Sequence, residues 1–129
     1  MAKKNITTFL GPNKGLSISG EYAFAYNGGD VAGTELTLLE FTTGKYTLVG
    51  SWQGYYYESP YGEDFRFVLY LNGAKVEAFT TEASIRGTSR SLLEVIIPPL
   101  TRVKITSENV TDTTAREMLT SLTCRIYDA

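Results

Sequence analysis

Apolar and polar side chains alternate through most of this chain, most sharply between Asp64 and Thr81. There Asp-Phe-Arg-Phe-Val-Leu-Tyr-Leu and Ala-Lys-Val-Glu-Ala-Phe-Thr-Thr flank the pair Asn72-Gly73. Asn-Gly between two alternating runs is a hairpin signal, because a type I′ turn needs φ > 0 at both central residues. A two-residue loop predicts that Leu71 pairs with Ala74, Leu69 with Val76 and Phe67 with Ala78, all on one face. Arg66, Tyr70, Lys75 and Glu77 then share the other face, with Tyr70 opposite Lys75. A slip of one residue would turn Phe65, Phe67, Leu69 and Leu71 into water, so burial specifies the register. The ribbon has an oily side that the rest of the chain must cover.

The same period predicts six further strands. Leu16 to Tyr26 carries Leu16, Ile18, Tyr22, Phe24 and Tyr26 with small residues between, and reads as one strand bulged at Gly20. Glu35 to Thr42 is a second strand. Lys45 to Tyr57 is a long third, with Tyr46, Leu48, Gly50 and Trp52 on one parity and bends expected at Gly50 and Gly54. Beyond the hairpin, Leu92 to Ile97 ends at Pro98-Pro99, where no ladder donor exists. Thr101 to Ser107 places Val103 and Ile105 inward. Met118 to Tyr127 places Met118, Leu122, Cys124 and Ile126 inward and Ser121, Thr123, Arg125 and Tyr127 outward. The one helical turn expected is near Thr114 to Glu117. Eight short strands with turn residues between them predict an all-β antiparallel sandwich. Eight strands and long crossovers at 82–91 and 108–117 favour a jelly roll. The immunoglobulin-like alternative lacks its paired cysteines around a core tryptophan.

Composition narrows the chemistry. The 129 residues suffice for one domain, read as an N-terminal arm over 1–15 and a sandwich over 16–129. The net charge of −2 offers no field for nucleic acid or an anionic membrane. There is no histidine, which removes the commonest general base and metal ligand. The single cysteine, Cys124, excludes an intramolecular disulfide and sits on an apolar parity where thiols are inert. No secretory signal or membrane-spanning stretch is read, so the sequons at Asn5 and Asn109 read as chance. Glu58, Glu63 and Asp64 cluster in one loop, with Glu77 and Glu94 as acids on strands. Nothing in the spacing makes them a catalytic pair or a known calcium loop. The expectation is a protein without enzymatic activity or cofactor.

Surface recognition is the remaining class. Tyr55, Tyr57 and Tyr61 flank the acidic loop, and such tyrosines serve strand packing, protein contacts or sugar stacking alike. Leu92 and Ile96 lie opposite in parity to Leu93, Val95 and Ile97, so one set needs a second apolar surface. The arm carries Phe9 and Leu10 among lysines. These seven residues, Phe9, Leu10, Tyr55, Tyr57, Tyr61, Leu92 and Ile96, are the interface candidates.

The segment Ile96-Ile-Pro-Pro-Leu-Thr-Arg-Val-Lys-Ile-Thr106 resembles a strand, Pro-rich turn and strand of small jelly-roll virion proteins of tailed bacteriophages. Ser107-Glu-Asn-Val-Thr-Asp-Thr-Thr114 and Leu38-Leu-Glu-Phe-Thr-Thr-Gly44 share that resemblance, which extends as a pattern over residues 35–127. It implies a head decoration (cement) protein, made in the host cytoplasm and seated on the major capsid protein of the virion as a homotrimer. A receptor- or carbohydrate-binding knob of a fibre or spike is the alternative within the same resemblance, with a glycan as partner.

Overall fold

The computed structural model describes residues 15–56, 63–80 and 90–128, and of residues 55, 56 and 90–92 only the backbone. The described residues form nine strands and no helix: β1 (Leu16–Ser19), β2 (Tyr22–Val31), β3 (Leu36–Thr42), β4 (Tyr46–Tyr56), β5 (Phe65–Leu71), β6 (Ala74–Thr80), β7 (Arg90–Ile97), β8 (Arg102–Asn109) and β9 (Arg116–Asp128). They make two antiparallel sheets, a five-stranded one in the order β1-β2-β9-β4-β7 and a four-stranded one in the order β3-β8-β5-β6. The inner faces meet over one core, so the β-sandwich expected from the alternation is present.

The ninth strand comes from the first predicted one. Leu16 to Tyr26 is not a single bulged strand but a hairpin, turning at Gly20 (φ 60°) and Glu21 and pairing Ser19 with Tyr22 and Ile18 with Ala23. A two-residue loop pairs each residue with one of opposite sequence parity, so the inward set changes parity across the turn. Leu16, Ala23 and Ala25 face the core, whereas Tyr22, Phe24 and Tyr26 face outward. The helical turn expected near Thr114 is also absent. Asn109, Asp112 and Thr114 tie that loop with side-chain hydrogen bonds, and β9 begins at Arg116.

Asn72 (φ 51°) and Gly73 (φ 83°) both lie in the left-handed region, so the central turn is of the predicted kind. Leu71 pairs with Ala74 and Tyr70 with Lys75. Beyond that the register shifts by one: Leu69 pairs with Glu77 rather than Val76, and Phe67 with Phe79 rather than Ala78. A β-bulge at Val76 causes this, leaving Val76 and Ala78 exposed and turning Phe79 inward. Phe79 stacks on Phe67 with ring centroids 5.1 Å apart and meets Trp52 of the other sheet at 5.0 Å.

Gly54 explains how this contact fits between the sheets. A Cβ there would lie 2.7 Å from both the Phe67 and Phe79 rings. Neither Gly50 nor Gly54 interrupts the ladder: β4 pairs with β9 in unbroken register from Tyr46 through Tyr56. Trp52 beside it is fully buried, and its indole N–H donates to Thr120 Oγ1 at 2.8 Å. That hydroxyl in turn donates to the Gln53 carbonyl at 2.7 Å, so the polar end of the indole is satisfied in the core. At the far end Thr43, between β3 and β4, clamps the Pro98–Thr101 turn: its hydroxyl donates to the Pro98 carbonyl at 2.9 Å and accepts from Thr101 N–H at 2.8 Å.

The bulged register makes a specific expectation. Phe79→Ala should destabilise by about 3 kcal/mol, in the range for loss of a core aromatic. Val76→Ala should stay within about 0.5 kcal/mol, as for an exposed site. Urea unfolding of the two variants measures both. The reverse ranking would restore the unbulged pairing.

Candidate functional site

The sequence-chosen interface residues are not assembled by the described structure. Phe9, Leu10, Tyr57 and Tyr61 lie outside the described residues, and of Tyr55 and Leu92 only backbone pairing is described, to Leu119 and Gln53 respectively. Ile96 is 67% exposed on the outer face of the five-stranded sheet.

That outer face brings together residues which the sequence reading passed over. Register lays them in rows across the sheet. One row runs Ser19, Tyr22, Arg125, Val49 and Ile96; the next runs Ser17, Phe24, Thr123, Ser51 and Glu94; the third holds Tyr26, Ser121 and Gln53. Tyr22, Phe24 and Tyr26 are 57, 49 and 54% exposed, and Tyr127 adds a fourth ring. Beneath the three rings of β2 the inward positions are Ala23 and Ala25, each 1% exposed. The strand thus shows water its largest apolar groups and gives the core its smallest. The signal was present in Tyr-Ala-Phe-Ala-Tyr, but reading it required placing the Gly20-Glu21 turn.

Arg125 organises one corner. Its guanidinium lies 6.0 Å from the Tyr22 ring centroid and 5.7 Å from that of Tyr127, and one amino nitrogen reaches Glu21 at 3.5 Å. Such cation–π contacts at exposed sites contribute about 0.5–1 kcal/mol each. Apart from Arg125 and Glu94 the rows carry no charge.

The opposite, four-stranded sheet has another character. Arg66 pairs with Glu108 at 3.0 Å, and Lys104 sits 5.1 Å from the centre of the Tyr70 ring. Tyr70 and Thr106 both donate hydrogen bonds to Glu35 Oε2, the former at 2.6 Å. An open cleft of about 140 Å³ lies among Glu40, Tyr70, Gly73, Arg102 and Lys104. The hydrogen bonds from Thr106 and Tyr70 hold the Glu35 carboxyl below its ordinary range, and donating to that carboxylate raises the Tyr70 hydroxyl above its own.

Of the other candidates, Glu58 lies outside the described residues, and Glu63, Cys124 and Asn109 have structural roles. Glu63 accepts from Arg116 Nε at 2.7 Å and is nearly buried, so this acid is held in an ion pair. Among the described residues no three His, Cys, Asp or Glu side chains gather as a metal site. Burial pushes the Cys124 thiol up to about 12, so it carries no thiolate at neutral pH. Asn109 is 3% exposed and its side-chain amide donates to Asp112 and to the Thr114 carbonyl, which leaves that sequon inaccessible in the folded protein. No family model and no curated protein matches the chain.

Glu35 carries a pH signature. Its folded-state value is lowered, so its stabilisation is present above the unfolded-state value, about 4.3, and is lost as pH falls through the folded one. For so exposed a group the gain is under about 1 kcal/mol. Glu35→Gln should therefore melt about 1–3 °C below the wild type at neutral pH. The gap should close on acidification below about pH 4. A gap independent of pH, followed by thermal melts across that range, would show that the carboxylate charge contributes nothing.

Proposed function

We propose that this protein is a non-enzymatic structural component of a virion, a capsid decoration protein that binds the major capsid protein as a homotrimer. Strand order supports a jelly roll as the finer description of the sandwich. Without β1, the sheets are β2-β9-β4-β7 and β3-β8-β5-β6, and successive strands alternate between them except at the β5–β6 hairpin. Eight strands wound in two interleaved Greek keys have this order, with β1 an addition at one edge. Jelly rolls of this kind build viral capsid and lectin domains, and the likeness of Ile96–Thr106 to phage virion proteins points to the first.

The observation that carries the reading is the ring-bearing outer face of the five-stranded sheet. An exposed apolar patch on a sheet is a contact surface, and beyond Arg125 of β9 the exposed Val49 and Ile96 continue it on two more strands, β4 and β7. The same rings support the second reading, a receptor- or carbohydrate-binding knob, because exposed tyrosines bind protein and sugar equally well.

Sedimentation of the full chain, and of the chain without residues 1–15, tests the decoration reading alongside co-sedimentation with undecorated capsids of the parent particle. The full chain should sediment as a trimer and bind capsid. Loss of capsid binding with the trimer intact on removing 1–15 would assign the arm to lattice attachment. A full-length monomer that does not bind capsid would refute the proposal.

A further inference from the structure

We infer that the free edge of β7 receives residues 3–10 of a second copy as an added strand, so that the arm of each molecule extends the five-stranded sheet of the next. The inference rests on the homotrimer proposed above and supplies its contact.

Four strands end the two sheets, β1 and β7 in one and β3 and β6 in the other. An open edge offers unpaired N–H and C=O groups to any strand, and proteins blunt such edges with short strands, bulges, lysine or proline. β1 is only four residues long, β3 shifts register between Thr37 and Leu39, and β6 carries the bulge at Val76 with Lys75 and Glu77 exposed around it. β7 has none of these devices. Its eight residues, Arg90–Ile97, pair with β4 in unbroken register and include no lysine or proline. On its other side no strand lies among the described residues, and Glu94 and Ile96 are exposed.

Charge and pattern name the occupant. The one charge beyond Arg90 in β7 is Glu94, which favours a basic strand beside it. Residues 1–14 carry Lys3, Lys4 and Lys14 and no acid. Within them Ile6-Thr-Thr-Phe-Leu10 is rich in strand-forming residues and is closed by Gly11-Pro12. Its alternation puts Ile6 and Leu10 on one parity and Phe9 on the other, to match a strand with Val95 and Ile97 inward and Ile96 outward. A second β7 suits the edge less well. Registers that pair most of its length, with the inner faces on one side, set the two Glu94 carboxylates opposite or diagonally beside each other.

Reach makes the contact intermolecular. Leu16 lies in one row with Ala25, Leu122, Trp52 and Leu93, so β1 and β7 are four strand spacings apart. A strand added beyond β7 lies a fifth spacing away, about 24 Å from Leu16. The six residues back to Leu10 span at most about 21 Å, and Gly15, at φ 101°, keeps them from full extension. Leu10 therefore falls short of its own β7 and meets that of a neighbour. Because the donating and receiving edges differ, the contact runs head to tail, the kind that closes into rings such as a trimer.

Cross-linking of co-expressed full-length Thr8→Cys and Ile96→Cys chains with a short bis-maleimide tests this. Cys124 is buried and its thiol stays protonated, so the added cysteines react alone. A mixed adduct between positions 8 and 96 should form, and Arg102→Cys, on the opposite sheet, should give about tenfold less in place of Ile96→Cys. If Ile96→Cys fails to melt cooperatively, Glu94→Cys replaces it. Successive N–H groups of a strand point to opposite sides, so one of Thr7→Pro and Thr8→Pro removes a donor to β7. That variant should associate about tenfold or more weakly in sedimentation, with its melting transition intact. A trimer without the mixed adduct would overturn the inference, as would one that survives removal of residues 1–15, or two proline variants that assemble as the wild type does. Adducts between Ile96→Cys chains, with none to Thr8→Cys, would overturn it in favour of paired β7 strands. Each of these results leaves the homotrimer standing, whereas a monomeric full chain would overturn both. The mixed adduct without capsid binding would reject the decoration reading and leave this inference in place.

Discussion

The two sheets are locked together where Trp52, Phe79 and Phe67 meet over Gly54, and the rest of the molecule is arranged around that contact. A side chain at position 54 would occupy the volume of the two phenylalanine rings, so β4 must carry glycine there. Phe79 reaches the site only because β6 bulges at Val76. Trp52 can be buried entirely only because Thr120 accepts its indole proton. Each of these local departures makes sense only in relation to the others. Removing one leaves either a cavity or an unsatisfied donor, and both are costly in a close-packed interior. Two further ties set the alignment of the sheets at a distance from this point: Asn27 donates to the Leu38 carbonyl at 2.7 Å across the β2–β3 corner, and Thr43 holds the Pro98–Thr101 turn.

The outer surfaces follow from how that core is filled. Over the first half of β2 the core takes only Ala23 and Ala25, so Tyr22, Phe24 and Tyr26 stand on the water side. The ladder with β9 runs the length of β2, and β1 pairs with its first four residues, which fixes the positions of the rings along the strand. The four-stranded sheet instead shows the Arg66–Glu108 ion pair, Lys104 beside the Tyr70 ring, and hydrogen bonds to Glu35. One molecule therefore presents an aromatic face with few charges and a more charged one on opposite sides. The proposals of capsid attachment and of sugar binding assign partners to such surfaces.

How much of this was legible in the sequence depended on how local each determinant is. Asn72-Gly73 announced its turn because two residues alone decide the backbone angles. The inward sets of β4, β7, β8 and β9 were legible because period-two alternation survives wherever a ladder is unbroken. The bulge in β6 was not legible, since Ala-Lys-Val-Glu-Ala-Phe-Thr alternates acceptably in either frame. The choice between frames is made by the space above Gly54, on a different sheet. Likewise Gly20-Glu21 is a weaker turn signal than Asn-Gly, so Tyr22, Phe24 and Tyr26 were assigned to the parity of Leu16 and missed as a surface. The tyrosines chosen in their place, from 55 to 61, came from clustering in sequence, which does not determine neighbourhood across a sheet.

The rings of β2 face water while Trp52 and its partners do not, and hydroxyl-radical footprinting read residue by residue by mass spectrometry measures that most directly. Tyr22, Phe24, Tyr26 and Tyr127 should be oxidised rapidly in the free protein, while Tyr46, Trp52, Phe65 and Phe67 should be protected until the fold is unfolded by urea. Protection of the β2 rings in the native protein would contradict the exposed aromatic face, and with it the surface on which the binding proposals stand.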